Sequence, residues 1–281
     1  MTDWYLDGEA ITHEPAGSRA MQYGDGVFET IAIREGEPRL WSLHAERLQS
    51  SCERLGLALP PVRDVEQQLQ SALASTAIDT DWATAKLIIA AGAAERGYRR
   101  PAELPVGIYV AVSDGARLAP SAYSSGVSIR QCRTPASVQP HLAGIKSLNR
   151  LDQVLARAEW TSPEYYDGVM LDSDGNLICG TMSNVFLVHD NAYSTPFLDR
   201  AGVAGIMRQH TLNLLAQAGL PCDQRRLTLD DLESADEVFL TNSQVGAVPV
   251  SQYESRQLTV AAATRQVQSL LADNGVPECR A

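Results

Sequence analysis

The segment HLAGIKSLNRLDQVLARAEW, residues 141–160, contains the strongest chemical signal in the chain. Lys146 follows a short apolar stretch, and a helix is predicted to open at Ser147 or Leu148 and run to Trp160. An amine near the positive end of a helix dipole, partly removed from water, has a lowered pKa and is nucleophilic near neutral pH. The alternative is a solvated loop lysine. The apolar residues at helical spacing are Leu148, Leu151, Val154, Leu155 and Ala158.

The basic residues are unusually uneven in type. Of the 23, only Lys86 and Lys146 are lysines and the other 21 are arginines. Arginine replaces lysine where only positive charge is needed, but a guanidinium does not lose its proton and attack a carbonyl. Both lysines therefore merit attention as chemical groups. Lys86 lies within the strand-like ATAKLIIA, where ion pairing or snorkelling is favoured.

Composition excludes several classes of protein. With 281 residues, 44% of them hydrophobic and 20% charged, the chain predicts a globular protein of one large or two modest domains. Its net charge of −11 argues against a nucleic-acid partner. No apolar run approaches the roughly 20 residues of a membrane span, and the N-terminus lacks a basic signal-peptide start. The five cysteines are scattered, so we expect no metal site, no disulfide scaffold and a cytoplasmic location.

Turn and periodicity signals divide the chain into hairpins with interspersed helices, which predicts an α+β (mixed α/β) class in two domains. The expected division is an N-terminal α/β domain over 1–112, a linker over 113–125 and a C-terminal α/β domain over 126–281 that carries Lys146. The predicted strands include Val27–Ile33, Arg39–Trp41, Ala85–Ala91 and Val106–Val112. The predicted helices include Leu43–Leu55, with Ser42 as its N-cap, and Ile206–Ala218.

Several residues are candidates for binding an anion. Arg47 lies near the apolar stripe of its helix, where it forms a structural ion pair or binds a ligand. The segment GVAGIMRQ, residues 202–209, places glycines before a helix, whose first N–H groups can hold a phosphate. Asn242 and Ser243 follow a strand and either donate to the same anion or are ordinary turn residues. Three possible anion donors and one possible amine together point to pyridoxal 5′-phosphate.

Six segments make this indication specific, because in chain order they resemble the class IV aminotransferase family. This group of fold-type IV pyridoxal-phosphate enzymes includes branched-chain and D-amino-acid aminotransferases and 4-amino-4-deoxychorismate lyase. HLAGIKSLNRLDQVLAR is most similar to the lyase branch. The segments are SRAMQYGDGVFET (18–30), LHAERL (43–48), HLAGIKSLNRLDQVL (141–155), SNVFLV (183–188), GVAGIMRQ (202–209) and DEVFLTNSQVGAVPV (236–250).

The resemblance implies a role for each matched position. Lys146 matches the lysine that attaches to the cofactor, and Arg47 matches the phosphate-binding arginine. Ile206 and Met207 match the helix-start residues whose N–H groups hold the phosphate, and Asn242 and Ser243 the loop that completes the phosphate site. The family also implies a homodimer in which two domains clamp the cofactor.

One position departs from the family pattern. A glutamate normally stands five residues before the asparagine of SNVF and faces the pyridine nitrogen; here Cys179 stands five residues before Asn184. A neutral thiol supports a protonated pyridine far less well than a carboxylate does. The departure places transamination in doubt more than elimination.

The resemblance therefore implies a lyase that converts 4-amino-4-deoxychorismate to 4-aminobenzoate and pyruvate, as in folate synthesis. The alternatives are a D-amino-acid or branched-chain aminotransferase and a non-catalytic pyridoxal-phosphate-binding homologue. Because the lyase substrate carries two carboxylates, cationic or polar partners are needed. The candidates are Arg96, Tyr98 and Arg150, and the alternative for each is a surface ion pair.

Overall fold

In the computed structural model the described residues are 2–13, 16–94, 97–101 and 103–280. They group into two compact units. The first contains Met1–Ala116 and Ile145–Asn149, and the second contains Arg117–Gly144 and Arg150–Ala281. The division expected from the sequence stays a prediction. In the structure the segment of Lys146 makes its contacts with the first unit, and a strand and a short helix occupy parts of 113–125.

The first unit is built on an antiparallel sheet in the order β2-β1-β6-β5-β3-β4. Its described elements are β1 (Thr2–Leu6), β2 (Glu9–Ile11), α1 (Arg19–Tyr23), β3 (Gly26–Arg34), β4 (Glu37–Pro38), α2 (Trp41–Leu55), α3 (Val62–Ser75), β5 (Trp82–Ala91) and β6 (Val106–Asp114).

One face of this sheet forms the core of the unit with α2 and α3. Along most of β5, buried residues such as Leu87 and Ile89 alternate with half-buried ones such as Lys86 and Ile88. Because successive side chains point to opposite faces, Lys86 lies on the face away from the core. Leu48 and Leu69 of the two helices complete the apolar cluster.

The second unit contains a mixed sheet in the order β12-β11-β10-β13-β14-β7-β8-β9, with β15 paired to β14. Its described elements are α4 (Pro120–Ser124), β7 (Val127–Gln131), α5 (Leu151–Arg157), β8 (Tyr165–Leu171), β9 (Leu177–Gly180), β10 (Asn184–His189), β11 (Ala192–Pro196), α6 (Ile206–Gln217), β12 (Cys222–Arg225), α7 (Leu229–Ser234), β13 (Glu237–Asn242), β14 (Gly246–Tyr253), β15 (Arg256–Gln257), α8 (Ala262–Asp273) and a 3₁₀ turn (Pro277–Cys279).

The α+β class is confirmed, but two local predictions at the start of α2 are wrong. The hairpin partner of β3 is Glu37–Pro38 rather than Arg39–Trp41. The helix begins at Trp41 and its N-cap is Leu40, with a φ of 54°, rather than Ser42. Leu40 adopts the left-handed conformation that short polar residues and glycine usually occupy, so no turn residue marks this position in the sequence.

The helix predicted over Leu148–Trp160 is shorter and differently exposed. It spans Leu151–Arg157, and Leu151, Val154 and Leu155 are 74%, 59% and 60% exposed. The segment 145–149 is instead paired with β3, because Phe28 N–H donates to Lys146 C=O at 2.9 Å and Leu148 N–H to Gly26 C=O at 3.0 Å. These tertiary hydrogen bonds override the helical spacing of the apolar residues.

Candidate active site

Lys146 is held by the backbone of β3 rather than by a helix. Val27 and Ser147 form an antiparallel bridge, and the neighbours Ile145 and Ser147 are buried. The Lys146 side chain is half-buried, and its Nζ lies 4.3 Å from the centroid of the Phe28 ring. The expectation that Lys146 immediately precedes a helix is wrong, since α5 begins five residues later. Its environment is set by an aromatic face and a strand.

Lys86 shares this environment. It projects from β5, and its Nζ lies 4.9 Å from the centroid of the same Phe28 ring. Burial lowers the pKa of Lys86 from its ordinary value. Nearby, on the same unit, Ile88, Ala90, Tyr109 and Leu148 line a largely apolar pocket of about 370 Å³. Both lysines of the chain therefore lie against one aromatic side chain.

Arg47 forms a buried network with Glu29 and His44. Its Nε donates to Glu29 Oε1 at 2.8 Å, and its Nη2 donates to Glu29 Oε2. His44 Nδ1 lies 2.6 Å from Glu29 Oε2. The ion-pair alternative considered for Arg47 is thus realised with Glu29. A guanidinium carries five N–H donors, so one carboxylate does not exhaust its capacity to bind an anion.

Glu29 is the charged centre of this network. Burial by itself favours the neutral acid, but the Arg47 charge and the hydrogen bonds from His44 and Arg47 outweigh it and lower the pKa of Glu29 to about 2. Burial lowers the pKa of His44, so its neutral ring donates from Nδ1 to the carboxylate. Glu29 therefore fixes the guanidinium of Arg47 in one orientation.

In the second unit, Ile206 and Met207 form the first turn of α6. The N-cap is Gly205, which supplies no side-chain acceptor for the first-turn N–H groups. Such groups, left without intrahelical partners, form an anion-binding surface. Asn184 approaches from β10: its Nδ2 donates to Val203 C=O at 2.9 Å, and a Cβ added to Gly205 would lie 2.0 Å from its Oδ1. Only glycine fits at 205.

Asn242 and Ser243 occupy the turn between β13 and β14. Asn242 Oδ1 accepts hydrogen bonds from Gln244 N–H at 2.9 Å and Val245 N–H at 3.1 Å. The Asn242 side chain also hydrogen-bonds Tyr166. Burial raises the pKa of the Tyr166 hydroxyl above its usual range, and this hydrogen bond opposes the shift. Asn242 thus organises the turn, and Ser243 lies half-buried within it.

Cys179 is buried on β9 and is neutral. The pKa of its thiol is raised to about 12, mainly by burial. The negative charge of Asp167 raises this pKa further, and the positive charge of Arg150 lowers it. Arg150 is the N-cap residue of α5, and burial lowers its pKa. The absence of an acid at the position of Cys179 is therefore not offset by an ionised thiolate.

The remaining candidates are dispersed. Tyr98 is 86% exposed, and its backbone C=O accepts from Arg19 Nη2 at 3.0 Å. Arg96 lies outside the described residues. The predicted site residues that the structure describes thus fall into two groups. Lys146, Arg47 and Tyr98 lie in the first unit, and the second unit contains Cys179, Ile206, Met207, Asn242, Ser243 and Arg150. Among the described residues, no group of three or more His, Cys, Asp or Glu side chains could hold a metal ion.

Sequence reasoning missed Glu29, His44 and the partners of Asn184. Glu29 could have been found from the sequence, because every second residue of this strand faces the core. Glu29 shares that face with Val27, Ile31 and Ile33. His44 and Arg47 lie three residues apart on α2 and therefore share a face. The contact between Asn184 and Gly205 depends on strand order and has no local signal.

Comparison with known proteins identifies the family. The description amino-transferase class IV matches residues 26–253, which is most of the chain. The protein therefore belongs to the class IV aminotransferase family, and the resemblance noted in the sequence is confirmed. The two-domain fold-type IV prediction agrees with the solved structures that it resembles.

Two relatives carry the same functional name. The aminodeoxychorismate lyase of Vibrio harveyi is 37% identical over 253 residues, covering 88% of this chain and 90% of its own. The 4-amino-4-deoxychorismate lyase structure from Pseudomonas aeruginosa is 38% identical, with a TM-score of 0.91 over 96% of this chain and 98% of its own. The branched-chain aminotransferase of Escherichia coli shares the fold, at 22% identity, a TM-score of 0.84 and coverage of 98% and 95%.

Proposed function

We propose that the protein is a pyridoxal-phosphate-dependent aminodeoxychorismate lyase that converts 4-amino-4-deoxychorismate to 4-aminobenzoate and pyruvate. The observation that carries the proposal is the placement of Lys146. In a chain with two lysines, this one is clamped to β3 with its ammonium against Phe28. It lies in the segment most similar to the lyase branch of the family.

The residues present fit the cofactor. A phosphate monoester needs N–H donors and a cation. The second unit offers N–H groups at Ile206 and Met207 in the first turn of α6, and the first unit offers the guanidinium of Arg47. Gly205 leaves the start of α6 without a Cβ or a competing cap. The aldehyde needs a primary amine, which is Lys146. When bound, pyridoxal phosphate withdraws electrons from the substrate carbon that carries its amino group.

With the substrate amino group in its place on the aldehyde, the freed amine of Lys146 would act as the base of the reaction. Its Nζ removes the proton from C4 of the substrate ring, the C3–O bond breaks, and the enolpyruvyl group departs with the bonding pair. Lys146 returns a proton to the methylene carbon of that group, which gives pyruvate. The ring gains its last double bond and becomes aromatic, so this step requires less electron withdrawal than transamination does.

Lys86 joins the candidates for binding a substrate carboxylate. It is half-buried on the same unit as Lys146 and lies against the same ring. A partly desolvated ammonium attracts a carboxylate more strongly than an exposed one, because water screens the pair less. Arg96, Tyr98 and Arg150 stay proposals for the same role.

The finer points of assembly and location are also proposals. We infer a homodimer, supported by exposed apolar side chains on each unit, among them Met21 on the first and Leu151, Leu155 and Phe197 on the second. We infer a cytoplasmic location, supported by five cysteines that form no disulfide. Within the described residues, no helix combines the length and apolar character needed to cross a bilayer.

The deciding experiment supplies 4-amino-4-deoxychorismate to the holoenzyme and follows 4-aminobenzoate and pyruvate together. Equimolar formation of both supports the proposal, and Lys146→Ala is the control that should form neither. The family alternative is an aminotransferase. An amino acid would then convert the bound cofactor to its pyridoxamine form, and 4-amino-4-deoxychorismate would yield no 4-aminobenzoate. That pair of results would replace the lyase assignment with an aminotransferase.

A further inference from the structure

Asp167 is a buried carboxylate to which the mechanism above gives no role. It lies on β8 and is 1% exposed. Its Oδ1 accepts hydrogen bonds from Gly168 N–H at 2.8 Å, Thr181 N–H at 3.0 Å and Thr181 Oγ1 at 2.6 Å, and its Oδ2 accepts from Ser183 Oγ at 2.6 Å. All four donors are neutral groups.

Burying a carboxylate without a cation costs free energy, and burial indeed raises the pKa of Asp167 against the effect of these hydrogen bonds. An apolar residue would fill the same volume at lower cost. The role of Asp167 is therefore to be sought in the segment that its hydrogen bonds hold. Three of the four come from residues of the loop 181–183.

This loop joins two buried strands of the second unit. It follows β9, which carries Cys179, and precedes β10, which opens at Asn184. Gly180 lies directly against the carboxylate, since an added Cβ would be 2.3 Å from Asp167 Oδ2 and 2.3 Å from Ser183 Oγ. Gly180 N–H also donates to Ser183 C=O at 2.8 Å, so the loop is closed on itself around Asp167.

Asn184 connects the loop 181–183 to the residues that precede α6. It is 6% exposed, donates from Nδ2 to Val203 C=O at 2.9 Å and presses its Oδ1 against Gly205. The contacts thus form a continuous series from Asp167 through Ser183 and Asn184 to the N-cap of α6.

We propose that Asp167 is a positioning residue: its hydrogen bonds to Thr181 and Ser183 fix the loop 181–183 and, through Asn184, hold Gly205 and the first turn of α6 in the arrangement that binds phosphate. The proposal deepens the proposed function and rests on it for the identity of the ligand. The positioning itself is a property of the protein alone.

The first test measures hydrogen exchange in the cofactor-free protein. Asp167→Ala should speed exchange about tenfold or more at residues 180–184, with a further increase at 203–207. The matched control is Asp172→Ala. Asp172 is a buried carboxylate in the turn at the other end of the same hairpin and accepts from Asp174 N–H and Asn176 N–H. Its replacement should affect residues 172–176 only.

The second test titrates each apo-protein with pyridoxal 5′-phosphate. Asp167→Ala should weaken binding at least tenfold, whereas Asp172→Ala should lower thermal stability and leave the dissociation constant unchanged. Asp167→Asn should restore most of the affinity. Its amide oxygen can accept the three bonds made to Oδ1, and its amide can donate to Ser183 Oγ.

Ser183→Ala provides a variant that folds even if Asp167→Ala does not. It should weaken cofactor binding about threefold. Combined with Asp167→Ala it should add nothing, because the hydrogen bond that Ser183→Ala removes is already lost when Asp167 is replaced. Wild-type affinity in Asp167→Ala, or equal losses in Asp167→Ala and Asp167→Asn, would overturn the proposal. If the wild-type protein binds no pyridoxal phosphate, the proposed function fails, while the exchange data still decide whether Asp167 holds the two segments.

Discussion

Lys86 and Lys146 lie against the same ring: their ammonium nitrogens are 4.9 and 4.3 Å from the centroid of Phe28. The chain has no other lysine. The two amines share one local environment but differ in attachment, since Lys86 projects from a strand and Lys146 from a loop segment paired with a neighbouring strand. Replacing one lysine at a time therefore separates two proposed roles: covalent attachment of the cofactor at Lys146, and electrostatic binding of a substrate carboxylate at Lys86.

Lys146→Ala should abolish formation of 4-aminobenzoate while the far-UV circular dichroism spectrum remains that of the wild type. The cofactor would lose its attachment point and the substrate its base. Borohydride reduction of the wild-type holoenzyme, followed by peptide mapping, should locate the cofactor on the peptide that contains Lys146. A label on Lys86 instead would reverse the assignment of the two lysines.

Lys86→Met should raise the KM for 4-amino-4-deoxychorismate by about tenfold or more, because a charge-assisted bond to a carboxylate contributes about 1.5–3 kcal/mol. Lys86→Arg, which keeps the charge, should recover most of the loss. Steady-state kinetics against pH provide a further check. Since burial lowers the pKa of Lys86, the wild-type KM should rise at a lower alkaline pH than an exposed lysine would require. An unchanged KM in Lys86→Met would return this residue to a packing role.

Arg47→Ala should weaken binding of pyridoxal 5′-phosphate by about 10- to 100-fold, since it removes a charged donor to phosphate. Excess cofactor should restore turnover in the same variant. The control is Arg63→Ala, which removes an exposed arginine paired with Asp64. Fluorescence titration of the two apo-variants gives the comparison. If both bind like the wild type, Arg47 serves only its ion pair with Glu29.

Glu29 predicts a pH dependence of stability. Folding lowers its pKa from 4.5 to about 2, so the ionised carboxylate stabilises the fold above pH 4.5 and this stabilisation is lost as the pH falls toward 2. The unfolding free energy of Glu29→Gln should therefore lie below that of the wild type by a few kcal/mol at pH 6, and the gap should narrow below pH 4.5. Urea titrations at several pH values measure it. The exposed Glu9, replaced by Gln, should show no such gap.

The sequence was sufficient for the class and for most elements because turn residues and alternation are local signals. The end of α2 at Leu55 is of this kind: the predicted helix ends at the same residue, and Gly56 follows with a φ of 64°. It failed at 145–149, where hydrogen bonds to β3 replaced the first turn of a helix, and at Leu151, Val154 and Leu155, whose helical spacing marks an exposed face. Periodicity identifies an apolar stripe but does not say what covers it.

The candidate site likewise contains residues that have a local sequence signal and residues whose roles depend on tertiary contacts. Lys146 and Arg47 could be proposed as site residues from chemistry and resemblance, since each is a distinctive residue in a distinctive segment. The roles of Glu29 and Asp167 depend on which side chains meet across strands and loops. Their partners are 15 and 18 residues away for Glu29 and 14 and 16 residues away for Asp167. A separation of this size is decided by topology, which no local pattern encodes.

Cys179 tests how much electron withdrawal the reaction requires. It stands five residues before Asn184, where the family carries a glutamate, and burial keeps its thiol neutral by raising its pKa to about 12. Elimination is driven by aromatisation of the ring, whereas transamination must stabilise a carbanion through two proton transfers. Cys179→Glu should therefore raise transaminase activity relative to lyase activity, and Cys179→Ser should leave lyase activity close to wild type, because both side chains are small and neutral. Two kinetic series, one per reaction, measure the ratio. A large loss of lyase activity in Cys179→Ser would assign the sulfur a specific role, and an unchanged ratio in Cys179→Glu would show that the residue does not act on the ring.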